Sequence, residues 1–233
     1  MKEIFDNYVK IAFSNYEQAD FKFKQFEYNY RKYFPQDLES KVLDIGVGRG
    51  EMLTCFRNWG YKNYLGIDIS PDTINFCKKL GLNVLLVEDT IKFLKNNTLT
   101  YDLITMLDVL EHISRENTIM LLKSIHNSLK PNSKIIIQVP NMWAPDSNLH
   151  FFNDFTHVTG FSENSLRQVL EASGFNKFEF HGFEILIDRT WKNYLKKLLR
   201  SLYHKKIIFE RKINSNIISK ILDPVFYVVA TKI

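Results

Sequence analysis

Little in this 233-residue chain marks a secreted or membrane-spanning protein. It has only two cysteines, Cys55 and Cys77, both in segments of helical pattern and without framework spacing. That argues against a disulfide-stapled scaffold, and reduced, buried thiols in a cytoplasmic protein are expected. No apolar run approaches the ~20 residues of a membrane-spanning helix, and Met1-Lys-Glu-Ile-Phe-Asp6 contains no apolar signal region. Net positive charge is confined to one stretch. The formal net charge is +5, yet residues 188–212 alone hold nine lysines and arginines against two acids, so the remainder is mildly acidic. Such a remainder argues against a broad nucleic-acid footprint, which needs basic residues around the pocket. Apolar and charged fractions are ordinary, and the length suits one large domain with a substantial core.

Glycine is sparse, nine in all, but three of the nine fall at Gly46, Gly48 and Gly50. They follow the apolar run Lys41-Val-Leu-Asp-Ile45 and directly precede a helical pattern. Without a Cβ, such residues adopt positive φ and let a backbone approach a ligand closely. A tight strand-to-helix turn needs the same residues, so the glycines alone are weak evidence. In the dinucleotide fingerprint the third glycine comes three residues after the second, a position held here by Glu51.

Further strands follow at regular intervals. Tyr64-Leu-Gly-Ile-Asp68 is short, buried in pattern and ends in a carboxylate, which can accept from both hydroxyls of a ribose. Asn83–Asp89 and Tyr101–Asp108 also end in acids, and Lys134–Val139 ends at Pro140. Helical patterns at about 71–80, 90–95 and 115–129 separate them. Alternating strands and helices predict right-handed crossovers and a mostly parallel sheet covered on both faces. Ligands of such sheets lie beyond the carboxyl ends of the strands, where these acids fall.

The set Val42-Leu-Asp-Ile-Gly-Val-Gly-Arg-Gly50, Leu65-Gly-Ile-Asp68, Val87-Glu-Asp89 and Tyr101-Asp-Leu-Ile with Asp108-Val-Leu-Glu-His112 resembles the successive motifs of class I S-adenosylmethionine-dependent methyltransferases. The resemblance covers roughly residues 38–180. It implies an α/β, Rossmann-like sheet of seven mostly parallel strands with an antiparallel last strand and helices on both faces. Asn176–His181 suits the sixth strand and Asp223–Thr231 the seventh. The expected division is an aromatic-rich helical cap over 1–37 and a methyltransferase domain over 38–233, with a basic amphipathic insertion at 188–222.

The resemblance also implies residue roles toward S-adenosylmethionine. Gly46, Gly48 and Gly50 would pass close to its methionine part, and Asp44 would hold the loop and the amino group. Asp68 would take the ribose hydroxyls, and Ile69 would pack on the adenine. Asp89 would accept from the adenine amino group, with Glu88 as the alternative one position earlier. Met106 and Leu107 would flank the sulfonium. Helix N-capping is the competing reading for Asp89 and Asp108.

Methyl transfer to oxygen needs reactants aligned and a proton removed. His112 and His157 are the candidate bases, since histidine titrates near neutrality, and Asp154 would orient His157 or bind an acceptor hydroxyl. Two structural readings compete: His112 caps its loop, and His157 positions the helix that Ser162 and Ser165 cap. Glu111, His112, Asp154 and His157 are all metal-ligand types, but no compact spacing joins them, so no metal is expected.

The block Asn153-Asp-Phe-Thr-His157 with Phe161-Ser and Leu166–Phe175 resembles bacterial methyltransferases of surface-polysaccharide synthesis. That implies a sugar hydroxyl on a glycan or its nucleotide- or lipid-linked precursor. Asp108–His112 also resembles quinone-precursor O-methyltransferases, so a small aromatic acceptor stays open. A non-catalytic cofactor-binding protein is the third reading. No Asn/Asp-Pro-Pro-aromatic sequence of amino-methylating nucleic-acid enzymes is present.

Two segments lie outside the motifs. Residues 1–34 hold eleven of the thirty-three aromatics, too many for a disordered tail. Tyr8 or Tyr16 would either pack on the sheet edge, the favoured reading, or line the acceptor pocket. In residues 189–203, Trp191, Leu195, Leu198, Leu199 and Leu202 share one helical face with cations opposite. That stripe either packs on the domain, lies in a membrane interface at the inner face of the membrane, or meets an acidic or nucleic-acid partner.

Overall fold

The computed structural model describes residues 4, 7, 10–11, 20–97, 100–186, 190–215, 219 and 221–233. Phe5, Tyr8, Phe13 and Tyr16, named above among the amino-terminal aromatics, lie outside the described residues, as do Asp188 and Arg189.

The expected alternation is present. After α1 (Asp20–Tyr30) come β1 (Lys41–Ile45), α2 (Glu51–Asn58), β2 (Asn63–Asp68), α3 (Pro71–Lys79), β3 (Val84–Leu86) and α4 (Thr90–Asn96). Then follow β4 (Tyr101–Leu107), α5 (Arg115–Ser128), β5 (Leu129–Pro140), α6 (Ser147–Phe151) and α7 (Glu163–Ala172). The chain continues through β6 (Lys177–Gly182) and α8 (Trp191–Asn214) into β7 (Val225–Thr231). The seven strands form one sheet in the order β3-β2-β1-β4-β5-β7-β6. The first five are parallel, with Leu43 opposite Leu65 on one side and Ile104 on the other. β7 runs antiparallel between β5 and β6, with Val228 opposite both Ile137 and Phe180.

Both faces of the sheet are buried, because successive side chains of a strand point opposite ways. Leu43, Ile135 and Ile137 join one core with Leu122 and Ile125 of α5 and Leu166 of α7. Val42 and Ile136 join the other with Leu53 and Phe56 of α2 and Cys77 of α3. α1 packs on that second core: Tyr30 is fully buried, meets Tyr227 edge-on at 5.0 Å, and donates to Gln138 Oε1.

Boundaries shift by a residue or two at several strands, and by more at two. The third strand ends at Leu86 rather than Asp89, because Asp89 Oδ1 accepts from Lys92 N (2.9 Å) and starts α4. The fifth begins early, since Leu129 already pairs with Tyr101 before an irregularity. The strand order reverses between β1 and β4, and the crevice at such a switch point is where this architecture places ligands.

Candidate active site

The turn after β1 is built on left-handed backbone. Gly46, Gly48 and Gly50 have φ of 76°, 51° and 74°, a region that costs a side chain steric strain. Gly46 N donates to Ile67 O (2.8 Å), which ties the turn to β2. A Cβ at Gly46 would stand 2.3 Å from Val109 Cγ2, so the turn and the exit of β4 touch backbone to side chain.

A cavity of about 450 Å³ opens at these strand ends, within the range of small-molecule sites. Asp44, Gly46, Gly48, Asp68, Ile69 and Leu107 line it. Asp44 Oδ1 accepts from Thr105 Oγ1 (2.6 Å), yet burial, with Asp68 and Glu51 nearby, pushes its carboxyl up to about 7. Asp68 accepts from Ser70 N (2.8 Å) and Gly48 N (3.4 Å), and burial still lifts it to about 6. Glu51 is paired with Arg49 at 2.7 Å, and Lys22 of α1 approaches it at 3.6 Å. The strand ends are thus rich in carboxylates that lack full compensation.

Four of the expected cofactor residues are not on this wall. Gly50 is the capping residue of α2. The Met106 side chain is fully buried in the sheet core. Glu88 and Asp89 are exposed, and Asp89 is the N-cap of α4. The neighbour Thr90 lines the cavity instead. The capping reading fails for Asp108, which has φ of 54° and accepts twice from Gln138 Nε2 (2.9 and 2.8 Å).

Beyond the glycine turn the wall passes to the segment after β4 and to the loop at 150–157. Val158 N and Thr159 N both donate to Glu111 O, at 2.8 and 3.0 Å, which holds that loop against the β4 exit. His112 and His157 thereby meet with ring centroids 4.7 Å apart. His157 Nδ1 faces the Phe151 carbonyl at 2.8 Å and must donate to it, leaving the lone pair on Nε2, 3.8 Å from Glu111 Oε1. Glu111 is buried, and no other described residue donates to either of its oxygens. Burial, followed by the charge of Asp108, holds its carboxyl well above the usual range.

Asp154 meets His157 through its backbone, where His157 N donates to Asp154 O at 3.3 Å. Its Oδ1 accepts from Thr156 N (2.8 Å) and Thr156 Oγ1 (2.6 Å), and that hydroxyl lies 2.8 Å from His112 Nδ1. Asp154 therefore holds His112 through Thr156, and Glu111 is the carboxylate facing His157. Burial lowers His112 to about 4, keeping it neutral. The helix-positioning reading of His157 is unnecessary, since Ser162 and Ser165 cap α7 reciprocally by themselves. No compact spacing joined these residues in the sequence, yet the fold brings ligand-type atoms of Glu111, His112 and His157 within 4.8 Å of one another. Thr105, Gln138 and Lys22 went unnoticed in the sequence. Thr105 and Gln138, polar residues inside the apolar runs Leu103–Leu107 and Ile135–Val139, carried a signal there.

The family model of the methyltransferase domain matches residues 19–179. This chain belongs to that family. The methyltransferase domain is similar to a solved S-adenosylmethionine-dependent methyltransferase from Archaeoglobus fulgidus (TM-score 0.69, 24% identity, 99% of each chain). It shares the fold of a Haemonchus contortus phosphoethanolamine N-methyltransferase 2 solved with S-adenosyl-L-methionine (TM-score 0.62, 14% identity, 100% of this chain and 57% of that one). A curated relative, the ubiquinone biosynthesis O-methyltransferase of Glaesserella parasuis serovar 5 (strain SH0165), is 31% identical over 113 residues. That match spans 45% of this chain and 47% of the relative.

The described residues form a methyltransferase domain, and the site fits S-adenosylmethionine. Asp44 is buried and Asp68 half-buried, and desolvation displaces both carboxyls upward. A ligand carrying a sulfonium, an ammonium and ribose hydroxyls supplies the positive charge and the donors they lack.

Proposed function

We propose that this methyltransferase O-methylates a sugar hydroxyl of a glycan or of its nucleotide- or lipid-linked precursor. The observation that carries this reading is the polar wall beside the glycine turn, where His150, Asn153, Asp154 and His157 line the cavity. A polyhydroxylated acceptor can add several hydrogen bonds to such a wall, which an apolar ring cannot.

Bound S-adenosylmethionine supplies an activated methyl group. Asp68 would hold the ribose hydroxyls and Asp44 the amino group, fixing the methyl in position. His157 would receive the acceptor's proton at Nε2, because Nδ1 is committed to the Phe151 carbonyl. Glu111, 3.8 Å from that nitrogen, would help orient the ring. His112 is too weak a base for this role near neutral pH.

A second reading, methylation of a quinone precursor or another small aromatic, is favoured by the 31% identity to the ubiquinone biosynthesis O-methyltransferase. Turnover on a panel of nucleotide sugars and catechols separates the two. Methylation of catechols alone overturns the sugar assignment. His157→Ala should abolish turnover while leaving S-adenosylhomocysteine binding intact, and normal turnover in that variant removes the base assignment.

A further inference from the structure

Helix α8 (Trp191–Asn214) is amphipathic in the sense opposite to an ordinary surface helix. None of its twenty-four residues is buried. The side it turns to the domain is polar at its fixed points: Arg200 pairs with Asp223 at 2.8 Å, and Arg211 donates to the Trp143 carbonyl. Asn193, His204, Ile207 and Ile208 are half-buried on the same side. The apolar stripe points away. Trp191 is 71% exposed, Leu198 57%, Leu199 56% and Leu202 53%, with Tyr194 and Leu195 beside them. This arrangement removes the reading in which the stripe packs on the domain, because that surface is already taken by the arginine side.

At 100° per residue the stripe spans one face, with Lys192 and Lys212 at its margins and Lys205 and Lys206 beyond Leu202 along the helix. Glu210 is the only acid on the helix. Leucines in the centre, a tryptophan and a tyrosine at one end, and lysines along both margins match the depth profile of a lipid interface. There apolar side chains enter the acyl boundary and cations meet anionic headgroups. No described helix is long and apolar enough to cross a membrane, so the contact is a surface one. Nearby, the loop that lines the cavity also exposes Leu149 (66%), Phe152 (78%) and Phe155 (83%), and the Arg211 bond ties α8 to the segment just before it.

We infer that α8 is a lipid-docking surface that lays its outward leucine face on an anionic bilayer. It goes beyond the methyl-transfer reading and stands without it, since it concerns where the domain sits and not what it methylates.

The test is flotation of the full chain with phosphatidylcholine vesicles, with and without phosphatidylglycerol. The native protein should float with the anionic vesicles. Leu198→Asp combined with Leu202→Asp should weaken partitioning roughly tenfold or more. Replacing Lys192, Lys205 and Lys206 by glutamine should erase the preference for anionic over neutral vesicles. These positions are exposed, so folding is checked by unchanged S-adenosylhomocysteine binding. Equal partitioning of native and variant proteins overturns the proposal. So does failure to float accompanied by a dimer in light scattering that the leucine variant abolishes, since a second copy would then cover the stripe. Loss of flotation with turnover retained leaves the methyltransferase reading intact, so the two fail separately.

Discussion

A single methyl group added at Gly46 probes how closely the glycine turn is fitted to the exit of β4. Gly46→Ala places a side chain at φ 76°, which costs about 1–2 kcal/mol. The new Cβ would lie 2.3 Å from Val109 Cγ2 and 3.3 Å from Cγ1, an overlap worth about 1–3 kcal/mol in strain. The expected destabilisation is therefore about 2–5 kcal/mol, a large share of a domain's stability. Val109→Ala removes both γ carbons and leaves only Cβ, at 3.4 Å; alone it should cost about 1 kcal/mol. In the double variant the overlap disappears while the φ strain persists. Urea denaturation of the four proteins should therefore return a coupling of about 1–3 kcal/mol. A coupling under about 0.5 kcal/mol would mean that the turn and Val109 do not constrain each other, and the geometry of the cradle would be wrong.

Calorimetry with S-adenosylhomocysteine tests the ribose grip: Asp68→Ala should cost about 2–4 kcal/mol, roughly 30- to 1,000-fold in affinity, and a loss under about threefold would remove that role. The pH dependence follows from the raised carboxyls at Asp44, about 7, and Asp68, about 6. A cationic ligand favours their ionised forms, so S-adenosylmethionine should bind more weakly as pH falls through that window; affinity that grows in acid refutes the carboxylate contacts. The unliganded protein should respond in the opposite sense. Its folded carboxyls hold protons more tightly than the unfolded chain does, so thermal stability should rise as pH falls from about 7 toward about 4, before other groups take over. Glu111→Gln should lower turnover and flatten its acid limb without changing S-adenosylhomocysteine affinity; an unaltered pH profile would remove Glu111 from the proton path.

Much of the fold was legible because a parallel sheet buried on both faces leaves a strong trace. Its strands are near-continuous apolar runs such as Val42–Ile45 and Ile135–Val139, separated by amphipathic helices. Positive φ in Gly46, Gly48 and Gly50 was legible for the same local reason, since few other residues tolerate that backbone. Asp89 was ambiguous for a different one. An acid between a strand and a helix looks the same whether it faces a ligand or caps the helix, and only the Lys92 hydrogen bond separates the two. Met106 and Leu107 show the period-two rule at work. Adjacent residues on one strand point to opposite faces, so one enters the core and the other the cavity.

From the chain order alone came the sheet, the glycine turn and the acids at the strand ends, because each depends on neighbours in sequence. The partners across sequence came from tertiary structure. Glu111 faces His157, Asp154 reaches His112 through Thr156, and α8 turns its leucines outward. Each of these depends on how a loop or helix settles against an element tens of residues away. Helical periodicity states that a stripe exists, and only packing decides which side of it meets the protein.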